Sequence, residues 1–536
     1  MSDRKCWALG LLFFMSLNFS SAQDFYLVYF KNKKGSIGSL DKPEELLTEK
    51  SLTRRKKHSI PLDSSDLPVS EVYVNQLRDA GWEVFSTSRW LNAALLNVPP
   101  GVVPEIELNF VSRVRPVLRF PQQRQEKARE SHFGSKREEN FDYGNAKTQI
   151  ELMGGELLHN KGFKGQGMTI AVLDGGFSNV ANMLAFKHLW DEGRVLDTYD
   201  FYGRAKEVSN ISVTHGTSVL SLMAANLPGQ LMGMAPDANY LLYRTEVVAF
   251  EYPVEEVFWV MGAERADSMG ADLINSSLGY TEFDNPEFNY SYADLNGKTS
   301  IVSFGAKMAA RKGILVCNSA GNYGARAWRY INTPADTDSI LACGSVNSTG
   351  QKAASSSFGP TADGRTKPDV AAMGQNAFYA LTGGGVSTAS GTSFASPLVC
   401  GFVACVWQQY PEMTAQELID AIKKSGNNAK NPNNELGWGI PRYQFLLGKT
   451  GKLSRALKIY PNPLTSGADL FAKIEPSNDF EAEFSVFDIS GKLCSKLKLI
   501  PTDTEHDFRL SPVLNLNPGM YILKAPSLGV KRLVVL

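Results

Sequence analysis

The sequence predicts an α/β protein: a parallel sheet sandwiched between helices, preceded by a small α+β unit and followed by a β-sandwich. Three observations predict it. Between residues 141 and 448, apolar strand-like runs alternate with helical ones, the order that builds a parallel sheet. Before that unit, residues 24–118 alternate strand and helix patterns at shorter spacing. After about Lys449 the pattern turns to short strands broken by Pro, Asn and Gly. The 536 residues suffice for roughly two to four domains with sizeable cores.

In chain order, Asp3-Arg4-Lys5 precede an apolar stretch, Trp7–Phe19, and then Ser20-Ser21-Ala22-Gln23. A charged start, a short hydrophobic region and small residues read as a signal peptide, residues 1–22, cut after Ala22. The stretch is too short for a stable span, and no later segment predicts a transmembrane helix. Residues 23–140 form the next unit and its linker. Phe25–Phe30, Glu83–Ser86, Ala93–Val98 and Val111–Leu118 read as strands, Glu71–Ala80 and Val103–Leu108 as helices. The basic run Lys50–His58 reads as a solvated face or a processing region. Gln122–Asn140, charged and weakly hydrophobic, reads as an exposed linker open to proteolysis.

Within residues 141–448, Met168–Leu173, Asn239–Arg244, Ala271–Asn275, Gly313–Ser319 and Ile340–Val346 read as strands. Val219–Ala225, Val254–Ser268 and Ser393–Gln408 read as helices, the last with Pro397 in its first turn, where proline is tolerated. Thr414–Ser425 is a helix opened by a capping box, Thr414 with Glu417.

Three phrases set into these elements carry chemistry: AVLDGGF (Ala171–Phe177), THGTSV (Thr214–Val219) and SGTSFASP (Ser390–Pro397). They supply Asp174, His215 and Ser393. A serine hydroxyl needs a base to take its proton as it attacks a carbonyl, and imidazole, with an ordinary pKa near ~6.5, does this and can protonate the leaving amine. A carboxylate fixes the imidazole tautomer and stabilises the imidazolium. Asp174 ends a buried strand, where open α/β sheets place their sites. Ser393 opens a helix, whose positive end favours a developing oxyanion. Each phrase alone also has a bland reading: a turn aspartate before two glycines, a capping histidine among six, an ordinary helix cap. Asp, then His, then Ser is an order known for such triads.

Together the phrases resemble the subtilisin-like serine proteases, the subtilases, from about Gln149 to about Pro441. Ser357-Phe358-Gly359-Pro360 and Lys367-Pro368-Asp369 add to the likeness. The resemblance implies a subtilisin-like parallel-sheet sandwich and a serine endopeptidase acting through an acyl-enzyme. It gives Asn322, in Ala320-Gly321-Asn322, the role of oxyanion donor, beside the backbone N–H of Ser393; the plain alternative is a Gly-Asn turn. It makes Ser277, Leu278 and Gly279, with Ser319, Ala320 and Gly321, the walls of a groove that binds extended substrate, where small residues admit its backbone. Tyr323 either rims the primary specificity pocket or packs. No acidic residue is assigned there, so a basic preference has no support, and a large apolar or aromatic one is expected. The chain departs from common members in Asp-Gly-Gly for Asp-Ser-Gly or Asp-Thr-Gly, and in Phe394 for methionine; neither touches a reacting atom. Residues 23–140 resemble the subtilase pro-domain, an intramolecular inhibitor, with a permanent accessory domain as the alternative. No cofactor is implied for the chemistry; calcium is common in the family, with Asp336 and Asp338 as candidate ligands by composition only.

Lys and Arg equal Asp and Glu at 55 each, so no net field draws the chain to nucleic acid or anionic membrane. Cys6 leaves with the signal peptide, and an odd five remain with no CxxC metal spacing. Cys317 and Cys343 fall on neighbouring strands and admit a disulfide, while Cys400 and Cys405 read as buried hydrophobes.

The tail, 449–536, opens with Ile459-Tyr460-Pro461-Asn462-Pro463 and continues through Phe484–Ile489, the turn Ser490-Gly491-Lys492, Pro518–Leu523 and Lys531–Leu536. It resembles the C-terminal sorting domain of type IX secretion cargo. That implies a Gram-negative cell, periplasmic passage, the type IX machinery as a partner, and release or surface attachment; an adhesion or substrate-docking module is the alternative. The expectation for the whole is a secreted serine endopeptidase made as a zymogen, against a scaffold that binds without cutting and a processing protease with few substrates.

Overall fold

The computed structural model describes residues 23–119, 143–446, 456–475, 483–501, 507–511, 514–525 and 529–536. The signal peptide, the linker Gln122–Asn140 and the boundary near 449 lie outside the described residues.

The first unit is an antiparallel sheet of β1 (Asp24–Phe30), β2 (Glu83–Ser88), β3 (Ala93–Val98) and β4 (Val111–Leu118) in the order β2-β3-β1-β4, with helices α1 (Glu49–Lys57) and α2 (Glu71–Asp79). Alternation along β1 serves two cores. Tyr26 and Val28 pack with Val74 and Leu77 of α2, whereas Phe25 and Leu27 face the central unit.

Two expectations fail here. Val103–Leu108 is not helical; Pro104 bars the helical conformation from the residue before it, and Ile106 and Leu108 pack as extended chain against the small core. The basic run is not a solvated face: it forms α1, capped by the Thr48 hydroxyl, and its Arg54 and Arg55 are buried. They find carboxylates far along the chain.

The central unit is a seven-stranded parallel sheet: β5 (Thr169–Asp174), β6 (Val195–Asp200), β7 (Asn239–Arg244), β8 (Leu273–Ser276), β9 (Leu315–Ser319), β10 (Leu341–Val346) and β11 (Val370–Met373), in the order β11-β10-β9-β8-β5-β7-β6. Its middle strands are buried on both faces, and their largely apolar runs fit that burial. One face carries α3 (His215–Ala224), α6 (Thr392–Gln409) and α7 (Ala415–Lys424). The other carries α4 (Pro253–Met269) and α5 (Ile301–Arg311), over which the first unit lies. The Thr414–Glu417 capping box opens α7 as expected.

That contact joins two units through one apolar core and a buried ion cluster. Phe25, Leu27, Trp90 and Leu118 pack with Phe258 and Trp259 of α4. Asp267 of α4, fully buried, accepts from Arg54, from Arg55 at 2.7 Å and from Arg89 at 3.1 Å; Arg55 also pairs with Asp66, which Lys312 reaches at 3.0 Å. Glu264 takes the N–H groups of Arg89 and Trp90 at 3.0 and 3.1 Å.

The tail is antiparallel: β12 (Ala456–Tyr460), β13 (Leu470–Glu475), β14 (Glu483–Asp488), β15 (Leu493–Pro501), β16 (Asp507–Ser511), β17 (Gly519–Ala525) and β18 (Gly529–Val535), in the order β12-β13-β16-β15-β14-β17-β18. Leu464, just after β12, bridges to Val535 of β18, so the sheet's first and last strands are brought together around their own core.

Candidate active site

Strands β5, β8 and β9 end side by side, and the residues that follow them meet the first turns of α3 and α6. Asp174 closes β5 with no exposed surface. Its Oδ1 accepts the N–H of Gly175 at 2.7 Å and faces His215 Nδ1 at 2.8 Å, with Oδ2 at 3.0 Å. A carboxylate at Nδ1 leaves Nε2 as the working nitrogen. His215 is the first residue of α3, and 40% of its side chain is exposed. Burial opposes its charge, but the Asp174 carboxylate and the hydrogen bond outweigh that and hold its pKa above the ordinary 6.5.

Ser393 lies in the first turn of α6 and is buried. Its hydroxyl donates to the Ser277 carbonyl at 3.3 Å. Pro397 is not in the first turn, because the helix begins at Thr392 and Pro397 stands sixth. A proline there lacks the N–H that would bond the Ser393 carbonyl. The freed carbonyl accepts the Ser277 hydroxyl at 2.9 Å, tying the end of β8 to the candidate nucleophile.

Asn322 is held by Thr392. Its Oδ1 accepts the Thr392 N–H at 2.9 Å and hydroxyl at 3.2 Å, and the Gly321 N–H donates to that hydroxyl at 3.1 Å. With its acceptor occupied, the exposed Asn322 carboxamide keeps Nδ2 as its outward donor. Thr392 lies inside the serine phrase, yet nothing in sequence distinguished it from an ordinary cap.

The six wall residues form two adjacent segments. Ser277, Leu278 and Gly279 follow β8; Ser319 ends β9 and Ala320 and Gly321 follow. Asn318 crosslinks them, its Nδ2 donating to the carbonyls of Leu278 at 3.0 Å and Ser319 at 2.8 Å. Tyr323 is half-buried, its N–H on Ser357 Oγ at 2.9 Å and the Arg326 guanidinium 5.5 Å above its ring.

Cys317 and Cys343 are free, buried thiols, as are Cys400 and Cys405. The parallel register sets Cys317 opposite Leu341 and Cys343 opposite Ser319. That two-residue offset separates their Cα atoms by about 8 Å, beyond the ~7 Å a disulfide spans.

The candidate calcium ligands are engaged elsewhere. Asp336 is buried and accepts from the Gly297 N–H and the Ser303 hydroxyl, both at 2.6 Å, and Asp338 pairs with Lys307. Among the described residues, one carboxylate group has the spacing to hold a cation: Glu246, Glu251 and Glu255, whose oxygens lie within 4.8 Å of one another. Glu246 already accepts from the Tyr280 hydroxyl, and Glu255 from the N–H groups of Val247 and Tyr252. Among the described residues no helix is long and apolar enough to cross a membrane.

Known proteins share sequence with this chain along much of its length. Residues 165–439, just over half of the chain, match the description "Subtilase family". Residues 25–132 match "Peptidase S8 propeptide domain, Bacteroidota", and 458–535 match "Secretion system C-terminal sorting domain". Subtilisin NAT of Bacillus subtilis subsp. natto is 25% identical over 434 residues, 80% of this chain and 96% of that protein. A thermostable alkaline protease of Halalkalibacterium halodurans is 27% identical over 285 residues, 53% of this chain and 69% of its own. Among solved structures, MycP1 of Mycobacterium smegmatis aligns with a TM-score of 0.47 at 21% identity, over 60% of this chain and 89% of that one.

Proposed function

Since the chain belongs to the subtilase family, as a serine endopeptidase with a propeptide and a secretion sorting domain, we propose that Ser393 is its nucleophile, His215 its general base and acid, and Asp174 the carboxylate that orients His215. The single observation that supports this most is Asp174 on His215 Nδ1 at 2.8 Å at the end of β5, with Ser393 bonded to Ser277 at the end of the neighbouring β8. When a peptide carbonyl enters, the Ser393 hydroxyl leaves the Ser277 carbonyl and gives its proton to His215 Nε2 as its oxygen adds to the carbonyl carbon. Asn322 Nδ2 and the Ser393 N–H stabilise the oxyanion. His215 then protonates the leaving amine, and water repeats the sequence in reverse to free the acid. Subtilases need no cofactor for this chemistry.

The substrate is a protein or peptide lying extended between Ser277–Gly279 and Ser319–Gly321, pairing its backbone with theirs. The domain limits are 1–22, 23–140, 141–448 and 449–536, a division supported by a core within each of the last three units. The pro-domain inhibits its own catalytic unit, a reading supported by the apolar and ionic contact it makes on α4. The tail hands the chain to type IX machinery after periplasmic passage in a Gram-negative cell. Steady-state hydrolysis of a peptide library by the matured protein tests the catalytic reading. Ser393→Ala reduces turnover by many orders of magnitude, since no other group carries the acyl intermediate. A variant that still acylates refutes it.

A further inference from the structure

We infer that the outward face of the tail sheet is a docking surface for a lipid layer with anionic headgroups. An apolar row on that face enters the acyl boundary while the cations beside it meet the phosphates.

The face follows from strand register. Along β14, β17 and β18, Phe484, Val486, Tyr521, Leu523, Leu533 and Val535 belong to the tail's core. The residues between them point the other way, because side chains alternate along a strand. There the register lines up Leu493 of β15, Phe487 of β14, Ile522 of β17 and Arg532 of β18 as one row. Met520 and Val534 pair one step along on one side of it. Lys496, Ser485 and Lys524 are aligned one step along on the other. At ordinary strand spacings the array spans roughly 14 Å in each direction.

A solvent-facing sheet surface ordinarily carries polar residues at such positions. Here Leu493, Met520 and Ile522 are 46%, 49% and 40% exposed in the full chain, so nothing among the described residues covers them. Phe487 and Val534 are partly exposed beside them. A contiguous apolar patch with a polar fringe marks a surface that meets a membrane or another protein.

The cations favour the membrane. Lys496, Lys524 and Arg532 are exposed on this same face, along one side of the apolar row and at its end. Asp488, which ends β14, spends its carboxylate on the turn that follows, accepting the N–H groups of Ser490 at 2.9 Å and Lys492 at 3.0 Å. Long cationic side chains beside an open apolar row can hold their heads at phosphate level while the row sits in the acyl boundary. An extended peptide would instead pair with a sheet edge, whereas these residues present a face. The chain carries equal numbers of basic and acidic residues, so the attraction is local. Each cation adds about fivefold to binding of an anionic layer.

The test uses the exported chain, Gln23 to Leu536, with Ser393→Ala to prevent self-cutting. It is sedimented with vesicles of phosphatidylcholine alone or mixed equally with phosphatidylglycerol. Binding is expected on the mixed vesicles only, and falls with added salt. Lys496→Gln, Lys524→Gln and Arg532→Gln together weaken it about 100-fold. Leu493→Ser with Ile522→Ser weakens it about tenfold or more. Lys34→Gln, Lys298→Gln and Lys430→Gln, the same loss of charge at exposed sites off the tail, leave it unchanged. A dye on Cys494, the one exposed thiol among the described residues, reads the contact without altering the face; its emission shifts to the blue on the mixed vesicles. Equal binding to neutral vesicles, an unmoved dye, or equal weakening by the off-tail set overturns the inference. So does failure to bind any vesicle while the tail variants still block export, which would assign the face to a protein partner.

Discussion

Replacing Asp267 by alanine would strand three guanidinium groups at the contact between pro-domain and catalytic unit. In the bound state Arg54, Arg55 and Arg89 all point at this one carboxylate, and the side chains of the first two are 3% exposed. Removing one member of a buried ion pair costs about 3–5 kcal/mol, because the partner's charge stays buried without compensation. At 1.4 kcal/mol per decade, the separated pro-domain should bind about 100- to 5,000-fold more weakly. The lower end is favoured, since Asp66 still faces Arg55 at 2.9 Å and Arg89 is the most exposed of the three. Asp267 spends its carboxylate on Arg54, Arg55 and Arg89 rather than on Asp174, His215 or Ser393, so the matured variant should hydrolyse peptides at the wild-type rate. The assay is slow-binding inhibition of matured protease by a separate chain of residues 24–118. An inhibition constant that moves less than tenfold refutes the idea that this cluster holds the zymogen together. A second arm, Arg55→Ala with and without Asp267→Ala, isolates the coupling.

Other outcomes follow from the same geometry. Peptidase kcat/KM rises with pH through deprotonation of His215, with its midpoint above 6.5 because Asp174 stabilises the cation; a flat profile on stable enzyme removes His215 as base. Asn322→Ala lowers kcat about 100- to 1,000-fold. Thr392→Val, which keeps the N–H on Asn322 but loses the hydroxyl that bonds both Asn322 Oδ1 and the Gly321 N–H, lowers it about 5- to 150-fold, two ordinary hydrogen bonds; a loss larger than that of Asn322→Ala would mean Thr392 does more than hold Asn322. Buried Glu256, which accepts from the Tyr290 hydroxyl and the Val302 N–H, has its pKa pushed by burial to about 7 from 4.5. The folded state holds that proton where the unfolded chain has lost it, so stability falls as pH rises from 4.5 towards 7, by up to about 3 kcal/mol. Melting of Ser393→Ala across that range should show the decline, and adding Glu256→Gln should lessen it, since buried Glu246, Glu255 and Glu264 are raised in the same way. A chain ending near Gly451 should fold and cut peptides, because the tail has its own core, yet stay in the periplasm; fractionation that finds it in the medium of intact cells rules out the sorting role.

Much of this was legible in sequence, for a local reason. The Thr414–Glu417 box, the helix opening at His215 and the strand closing at Asp174 are each written within a few neighbouring residues. The wall segments, by contrast, are proposed from the likeness to the subtilases rather than from a local signal. What was missed depends on distant partners. Arg54 and Arg55 look like solvent-facing charge until α4 brings Asp267 to them, more than 200 residues on. Asn332 carries no mark in its own neighbourhood; only the fold brings its carboxamide against Gly279 and Gly321. Pro397 fell one turn too early because helix starts are soft by a residue or two, and Val103–Leu108 was read as helix despite its proline.

The measurement closest to the central claim is covalent labelling of the matured protein by a fluorophosphonate probe, followed by peptide mapping of the adduct. A single adduct on Ser393 is expected, formed faster as pH rises past the titration of His215, slowed by orders of magnitude in His215→Ala and absent in Ser393→Ala. An adduct on any other residue, or one that persists at the wild-type rate in Ser393→Ala, would contradict the assignment of Asp174, His215 and Ser393 as one catalytic unit.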